Sequence, residues 1–556
     1  MIFVDPTGDD SGPGTSERPF ATLARARAAA RPGSVITLRG GTYHLTETFT
    51  LSAADSGVVY QAYGYGTADQ DDVVISGGRH ITGWRKGDDG VHLAEVPGLA
   101  TRQLYVSGRR AVRASIPLDQ TLKRTETGYT IDTPTDWHGE VELVYRGVYP
   151  WSEARCQVAR IGNGPDGTTL TMAQPAFAWA TKLYRAIVPW ESGESYGADS
   201  PTSAENSPAF VSEGTFALNG GVLHYMPLPG ESLDHVVAPM LETLIHANDV
   251  RDVAFRGITF ADATWLRPSS PEGFLHYHGN GYYDGGELVV YAFHDGQAEV
   301  TGPGGDSPSM PANVIFENAS GVTLEGCRFT RLGATALAFH GEGADNVLRG
   351  SVIDDVSGGG IIVGGGTRVH VEENHIHHIG RDYSGSPAVL LTDTHGAVVA
   401  HNQVDNVPHA GIVIYEGRGT QVLHNLVHDT MQVLADGGGV YIAGPQGDSP
   451  ANGALIRGNV IRDTITPYNF ALYTDYGAAW VTVEGNVVHR ADNPVILEVW
   501  PALENVEFTG NYWDADPGQA PAGVTLTANT VLTEEQFATD PAVAGIVAAA
   551  GRTSAN

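Results

Sequence analysis

The chain has 556 residues, a formal net charge of −32 and only three Lys (Lys86, Lys123, Lys182), a balance that weighs against nucleic-acid, anionic-membrane or polyanionic-glycan partners. No apolar run reaches 18 residues, so no membrane span is expected. Cys156 and Cys327 fall in different predicted units without metal-site spacing, so two free thiols are expected.

MIFVDPTGDD carries neither a basic n-region nor an apolar h-region. The expected location is cytoplasmic if Met1 is native and secreted if a leader has been removed. Ile2–Asp5 reads as a strand, and the Ala-rich, amphipathic ATLARARAAA (21–30) reads as a helix over the open N-terminal end of a solenoid. VITLRGGTY (35–43), ETFTL (47–51), VVYQAY (58–63) and VVISGG (73–78) are its first rungs, giving an N-terminal unit over 1–97. From 98 to 234 alternating runs such as EVELVYR (140–146), CQVARIG (156–162) and VLHYMPL (222–228) predict antiparallel strands, an accessory β-sandwich. HVVAP (235–239) and VRDVAFRGITF (250–260) resume the rungs, and 235–515 forms the main solenoid. Its Gly-, Tyr- and His-rich excursion 265–313 is long enough to be read as a binding loop or lid over the solenoid face. The tail 516–556, with a helix over 533–551, is expected to cover the C-terminal end.

The main stretch repeats itself. VTLEGCRF (322–329), VHVEENHI (369–376), VVAHNQV (398–404), VLHNLV (422–427), LIRGNVI (455–461), VTVEGNVV (481–488) and VEFTGNYW (506–513) share one pattern. Its marker positions are Cys327, Ser351, Asn374, Asn402, Asn425, Asn459, Asn486 and Asn511, spaced mostly by 23 to 28 residues, the signature of a β-rich solenoid. Each unit holds a second strand, from ALAFH (336–340) through GIVIY (411–415), GVYIA (439–443) and ALYTD (471–475) to PVILE (494–498). Short strands without intervening helices predict a right-handed parallel β-helix, with the marker Asn residues forming an inner amide ladder. Leu337, Ile361, Val389, Ile412, Val440, Leu472 and Val495 then point inward, because side chains alternate across a strand.

The same alternation places His340, Tyr415, Asp475 and Glu498 in one outward column and Tyr441 and Tyr473 in the next. Asp475 and Glu498 would stand on adjacent rungs about 4.8 Å apart at the backbone, and Asp436 lies at the corner one rung before Asp475. Three acids on consecutive rungs suit the two-carboxylate chemistry of glycoside hydrolysis. Asp475 is read as the nucleophile or base. The acid is Glu498 or Asp436, the first implying retention and the second leaving room for inversion. Tyr441, Tyr473, Trp500, His340, Tyr415, Glu416 and Tyr283 are the candidate substrate contacts; the other solenoid His, including His409, are read as corner or surface residues. No Lys occurs in the repeat region to act as a lyase base, and no Arg-x-Lys motif of a polygalacturonase is present.

The opening FVDPTGDDSGPGTSERPFATLARARAAA, with VISGGRHITGW (74–84), LYVSGRRAVRA (104–114), RLGATALAFHG (331–341), DGGGVYIAG (436–444) and ALYTDYGAAWVTVEGNVV (471–488), resembles glycoside hydrolase family 141 and, more loosely, the β-xylosidases of family 120. The resemblance covers roughly 1–515. It implies a β-helix with an accessory sandwich and points to Asp436 of DGGG and Asp475 of LYTD as the acids; the family 120 pattern would pair Asp475 with Glu498. The expected function is hydrolysis of a neutral glycan of the fucosidase or xylosidase type by a monomer or small homo-oligomer, without cofactor or metal. A polysaccharide lyase and a non-catalytic carbohydrate-binding β-helix are the alternatives.

Overall fold

The computed structural model describes residues 1–87, 89–118, 122–184, 201–293, 298–305 and 307–553. The chain divides into two compact units: 1–77, 243–261 and 311–556 form the first; 78–242 and 262–310 form the second.

The first unit is a right-handed parallel β-helix. Each full turn contributes three short strands that pair in parallel with the same strands of the next turn, as in Thr335–His340, Ile361–Gly364, Val389–His395, Ile412–Arg418, Val440–Pro445 and Phe470–Glu484. The inward stack runs in the expected register, Leu337 opposite Ile361, Val389, Ile412, Val440, Leu472 and Val495. All seven side chains are buried, each worth about 1.5–3 kcal/mol relative to exposure. At the bend between the other two strands the amide ladder forms: Asn402 Nδ2 donates to Val371 O (2.8 Å) and to Asn425 Oδ1 (3.0 Å), and Asn402 N donates to the same Oδ1 (2.9 Å). The pattern repeats from Asn374 to Asn511 and runs one rung further, to Asn529. Cys327 and Ser351 occupy the ladder's early positions, and both Cys are free and buried.

The N-terminal helix spans Leu23–Ala29, with the Thr22 hydroxyl accepting from Arg25 N. The tail corrects the expected end cap. Val524–Thr527 and Thr530–Val531 add a rung; helices Glu534–Thr539 and Pro541–Ala549 then turn back along the outside of the solenoid. Phe537 stacks on His489 at 4.5 Å, Val543 and Ile546 join Leu426, Val460 and Val487, and Gly551 N donates to His424 O (2.8 Å). The reason lies in the outward column Leu426, Val460, Val487, Tyr512, which is apolar and has to be covered.

The second unit is built from two chain insertions. Its antiparallel sheets hold Glu142–Arg146, Glu153–Gly164 and Gly167–Met172 in one and Leu104–Val106, Thr215–Asn219 and Val222–Tyr225 in the other. It begins at Gly78 and ends its first insertion at Glu242, so the stretch 78–97 and HVVAP lie outside the rungs: Val236–Pro239 pairs antiparallel with Gly78–His80. The excursion is built into this unit rather than into the rungs. Phe274–His278 adds a strand to Glu153–Gly164, and Leu275 and Tyr283 enter the core of this unit; residues 294–297 and 306 of the excursion lie outside the described residues. Glu142 is buried here among Arg102, Arg113 and Ser269, at 2.6 Å, 2.8 Å and 2.6 Å.

Candidate active site

The second-strand column carries the site. Tyr441 pairs with Tyr473, and Ala443 with Asp475, on successive rungs. The column Ala338, Ile362, Leu390, Val413, Tyr441, Tyr473 points away from the solenoid core but is itself buried, in a cluster with Ala410, Phe470, Tyr468 and Tyr415. Near-continuous apolar runs such as VYIA are the pattern of strands covered on both faces. The rings interlock: Tyr441 and Tyr473 edge to face at 5.0 Å, Tyr415 and Tyr441 edge to face at 6.0 Å, and Phe470 and Tyr473 tilted at 4.8 Å.

Asp436 enters from the preceding corner. Its backbone is left-handed (φ 54°), a conformation Asp tolerates, and its N–H donates to Tyr468 O at 2.8 Å. The three glycines that follow are needed for close approach. A Cβ at Gly438 would lie 2.1 Å from Phe470 O, and one at Gly439 would lie 2.4 Å from Ile461 Cγ2. This packing draws the corner onto the strand and buries Asp436 to 8 % exposure.

Two phenols tie the acids together. Tyr473 Oη donates to Asp436 Oδ1 (2.8 Å), and Tyr441 Oη donates to Asp475 Oδ2 (2.8 Å). Burial, and then the charge of Asp475, push Asp436 up to about 7 against the pull of Tyr473. Asp475 is also raised, by burial, with Tyr441, the Tyr476 backbone and Tyr473 opposing. What opposes these shifts is hydrogen bonding, not a cation. The phenols themselves are held far above their ordinary range by burial, and remain donors.

Glu498 does not join them. The strand that would carry it ends at Ile496, and its side chain is exposed. The expectation that its apolar sequence neighbours bury it is corrected: Leu497 turns into the core while Glu498 and Trp500 face solvent. His340 stands five rungs from Asp475 in the same column, about 24 Å away, too far to share its substrate contact. Tyr415 touches Tyr441, and Glu416 is exposed beyond the strand's inward residues. Tyr283 packs in the accessory unit, edge-on to Trp179 at 5.8 Å with its hydroxyl on Gly286 O (2.7 Å). Tyr468 and Phe470 were missed by sequence reasoning. Tyr468 occupies the corner position of Asp436 one rung later, the two lying four residues before the paired Leu472 and Val440, and that alignment was the available signal. Among the described residues no group of three or more His, Cys, Asp or Glu is placed to hold a metal ion.

Residues 309–449 match the family described as right handed beta helix region, and residues 6–73 match a protein family of unknown function, DUF1565. The shared fold is the β-helix. The uncharacterized protein YwoF of Bacillus subtilis (strain 168) is 38% identical over 76 residues, 14% of this chain and 15% of that protein's own length. A solved structure described as a glycoside hydrolase superposes with a TM-score of 0.76 at 22% identity, covering 100% of this chain and 99% of that one. The complex of XylC with xylose gives a TM-score of 0.45 at 12% identity, over 95% of this chain and 86% of that one. The fold is therefore shared with that structure, and among the described residues no helix is long and apolar enough to cross a membrane.

Proposed function

We propose that this protein is a retaining glycoside hydrolase acting on a neutral glycan or oligosaccharide, of the fucosidase or xylosidase type, with Asp475 as nucleophile and Asp436 as general acid. The observation that carries this reading is a pair of acids of unlike environment, each held by a phenol, on adjacent rungs: Tyr473 on Asp436 and Tyr441 on Asp475. Two carboxyl groups with no cation between them hold one proton in common. The proton belongs on Asp436, which is the more enclosed and is raised to about 7. Asp475, supported by Tyr441, Tyr473 and the Tyr476 backbone, carries the charge. This is the division of labour that glycoside hydrolysis needs: a protonated donor for the leaving oxygen and an ionised carboxylate for the anomeric carbon.

The spacing favours retention. The phenols that hold the two acids stand ring to ring at 5.0 Å, and the charge of Asp475 reaches Asp436, which suits a close carboxyl pair better than the wider spacing an inverting pair keeps for water. The absence of Lys from the repeat region and the net charge of −32 favour an uncharged sugar. The solved structure that shares the fold is described as a glycoside hydrolase, which makes this the reaction class to test first.

The test is a panel of nitrophenyl α-L-fucoside, β-D-xyloside, α-L-arabinofuranoside and β-D-galactoside together with neutral plant oligosaccharides, the first-formed anomer of any product being read by proton NMR. Release with retained configuration supports the proposal. Silence across the panel, or a product absorbing near 235 nm as a lyase would give, counts against it.

A further inference from the structure

His409 was read from the sequence as a corner or surface residue, but it is buried, with 5 % of its surface exposed, one rung below the Asp436 corner. Its Nε2 lies 3.1 Å from Ala435 O. A carbonyl can only accept, so the proton of this contact sits on Nε2. The same nitrogen abuts the residue on the other side of the acid: a Cβ built on Gly437 would lie 2.7 Å from it. The imidazole thus touches both chain neighbours of Asp436 and fills the space beneath it. Met431 N closes the arrangement from the next strand by donating to His409 O at 2.9 Å. Among the described residues no other corner of the stack combines a left-handed acid, three glycines after it and a buried His below them.

We propose that His409 is a positioning residue for the general acid: through the Ala435 carbonyl it fixes the Asp436 turn, and by occupying the space under Gly437 it keeps water from Asp436, so that the carboxyl stays protonated and aimed at the leaving oxygen. This rests on the assignment of Asp436 as acid. A residue that acts through the acid has a signature that a purely structural residue lacks. Its loss slows substrates whose leaving group needs a proton and spares those whose leaving group departs as a stable anion.

His409→Ala, His409→Gln and Asp436→Asn are compared with wild type on aryl glycosides of the sugar the wild-type protein cleaves, one with a 2,4-dinitrophenyl and one with an unsubstituted phenyl leaving group. Thermal unfolding confirms that each variant is folded. For His409→Ala we expect kcat/KM on the phenyl glycoside to fall about 10- to 100-fold and kcat/KM on the dinitrophenyl glycoside to change by less than about threefold; kcat/KM is the quantity compared because kcat on the activated substrate also reads deglycosylation, where Asp436 is the base. The alkaline limb of kcat/KM moves to lower pH, because water now reaches Asp436. His409→Gln, whose amide can donate to Ala435 O, recovers most of the loss, and it carries the test if the Ala variant does not fold. An equal loss on both leaving groups, or none on either, overturns the role of His409 while Asp436→Asn still shows the leaving-group effect. If Asp436→Asn shows no such effect, the acid assignment itself fails and this inference falls with it.

Discussion

The hydroxyl of Tyr473 donates to Asp436 Oδ1 at 2.8 Å, and that of its neighbour Tyr441 donates to Asp475 Oδ2 at 2.8 Å. Each acid therefore has a neutral donor of its own, and that of Asp436 comes from a ring locked between Tyr441 and Phe470. Tyr473→Phe keeps the ring packing and removes the donor. Both carboxyl groups then titrate at higher pH, so both limbs of the pH–rate profile move upward and kcat/KM on the acid side of neutrality falls by about 10- to 100-fold. Steady-state kinetics between pH 4 and 9 reads this; an unmoved profile would remove Tyr473 from the site.

The wild-type profile follows from the same pair. Activity needs Asp436 protonated and Asp475 ionised. Rate should decline as pH rises through about 7, where Asp436 loses its proton, and the acidic limb should lie above the ordinary Asp value because burial raises Asp475. A plateau extending past pH 9 would contradict the assignment of the acid.

Asp436 should also make the protein less stable in alkali. Its folded pKa, about 7, is above the unfolded value near 3.9. The folded state therefore prefers the protonated form. The stability this gives is complete below about pH 4 and is lost as pH rises through 7. Asp436→Asn keeps an acceptor for Tyr473 and abolishes the charge. We expect the variant to be more stable than wild type at pH 8, by on the order of 3 kcal/mol, and equal to it at pH 4. Thermal denaturation at the two pH values decides; the same difference at both would mean that the charge is not the cause.

The opposite sign applies to Glu142 in the accessory unit. Burial alone would raise its pKa, but Arg102 and Arg113 outweigh burial and draw it down to about 2. Its contribution is present above the unfolded value near 4.3 and is lost as pH falls towards 2. Glu142→Gln leaves two guanidinium groups buried without their shared carboxylate and should cost about 3–5 kcal/mol at pH 7. Denaturant unfolding of the variant checks this, an unchanged midpoint being the contrary result.

In the solenoid, Asn425 accepts from both the N–H and the amide of Asn402 and donates to Val399 O and Asn459 Oδ1. Asn425→Ala leaves several buried backbone groups unmatched at once, at about 1–3 kcal/mol each. A loss of at least about 3 kcal/mol by denaturant unfolding is expected. A smaller loss than for an exposed corner Asn such as Asn318 would show that the ladder does not hold the turns together.

The solenoid was legible because its physics is periodic. A marker every 23 to 28 residues and alternation within each strand predict which side chains stack, and Leu337 through Val495 do so in the expected register. The accessory unit was less legible because its chain is discontinuous. Nothing local in FLHYH indicates that it pairs with Glu153–Gly164, more than a hundred residues earlier. Within the site, strand alternation placed Asp475, Tyr441 and Tyr473 outward, but it carries no information on where a strand stops. Glu498 lies beyond that stop and so escapes the column. Burial of Asp436 was hidden for the converse reason: three glycines read as an open corner, whereas their missing side chains are what let Phe470 and Ile461 close over it. The tail helices were misplaced because an amphipathic segment shows that it covers something, not what; the uncovered column Leu426, Val460, Val487 was the missing half of that pattern.

The central claim is that Asp436 and Asp475, and not Glu498, form the carboxylate pair. The most direct measurement compares kcat/KM of Asp475→Ala, Asp436→Asn and Glu498→Gln on the glycoside that the wild-type protein cleaves. We expect Asp475→Ala to lose more than about a thousandfold, Asp436→Asn more than about a hundredfold on a leaving group that needs a proton, and Glu498→Gln less than about threefold. Near-normal turnover by Asp475→Ala, or a loss in Glu498→Gln as deep as that in Asp436→Asn, would contradict it.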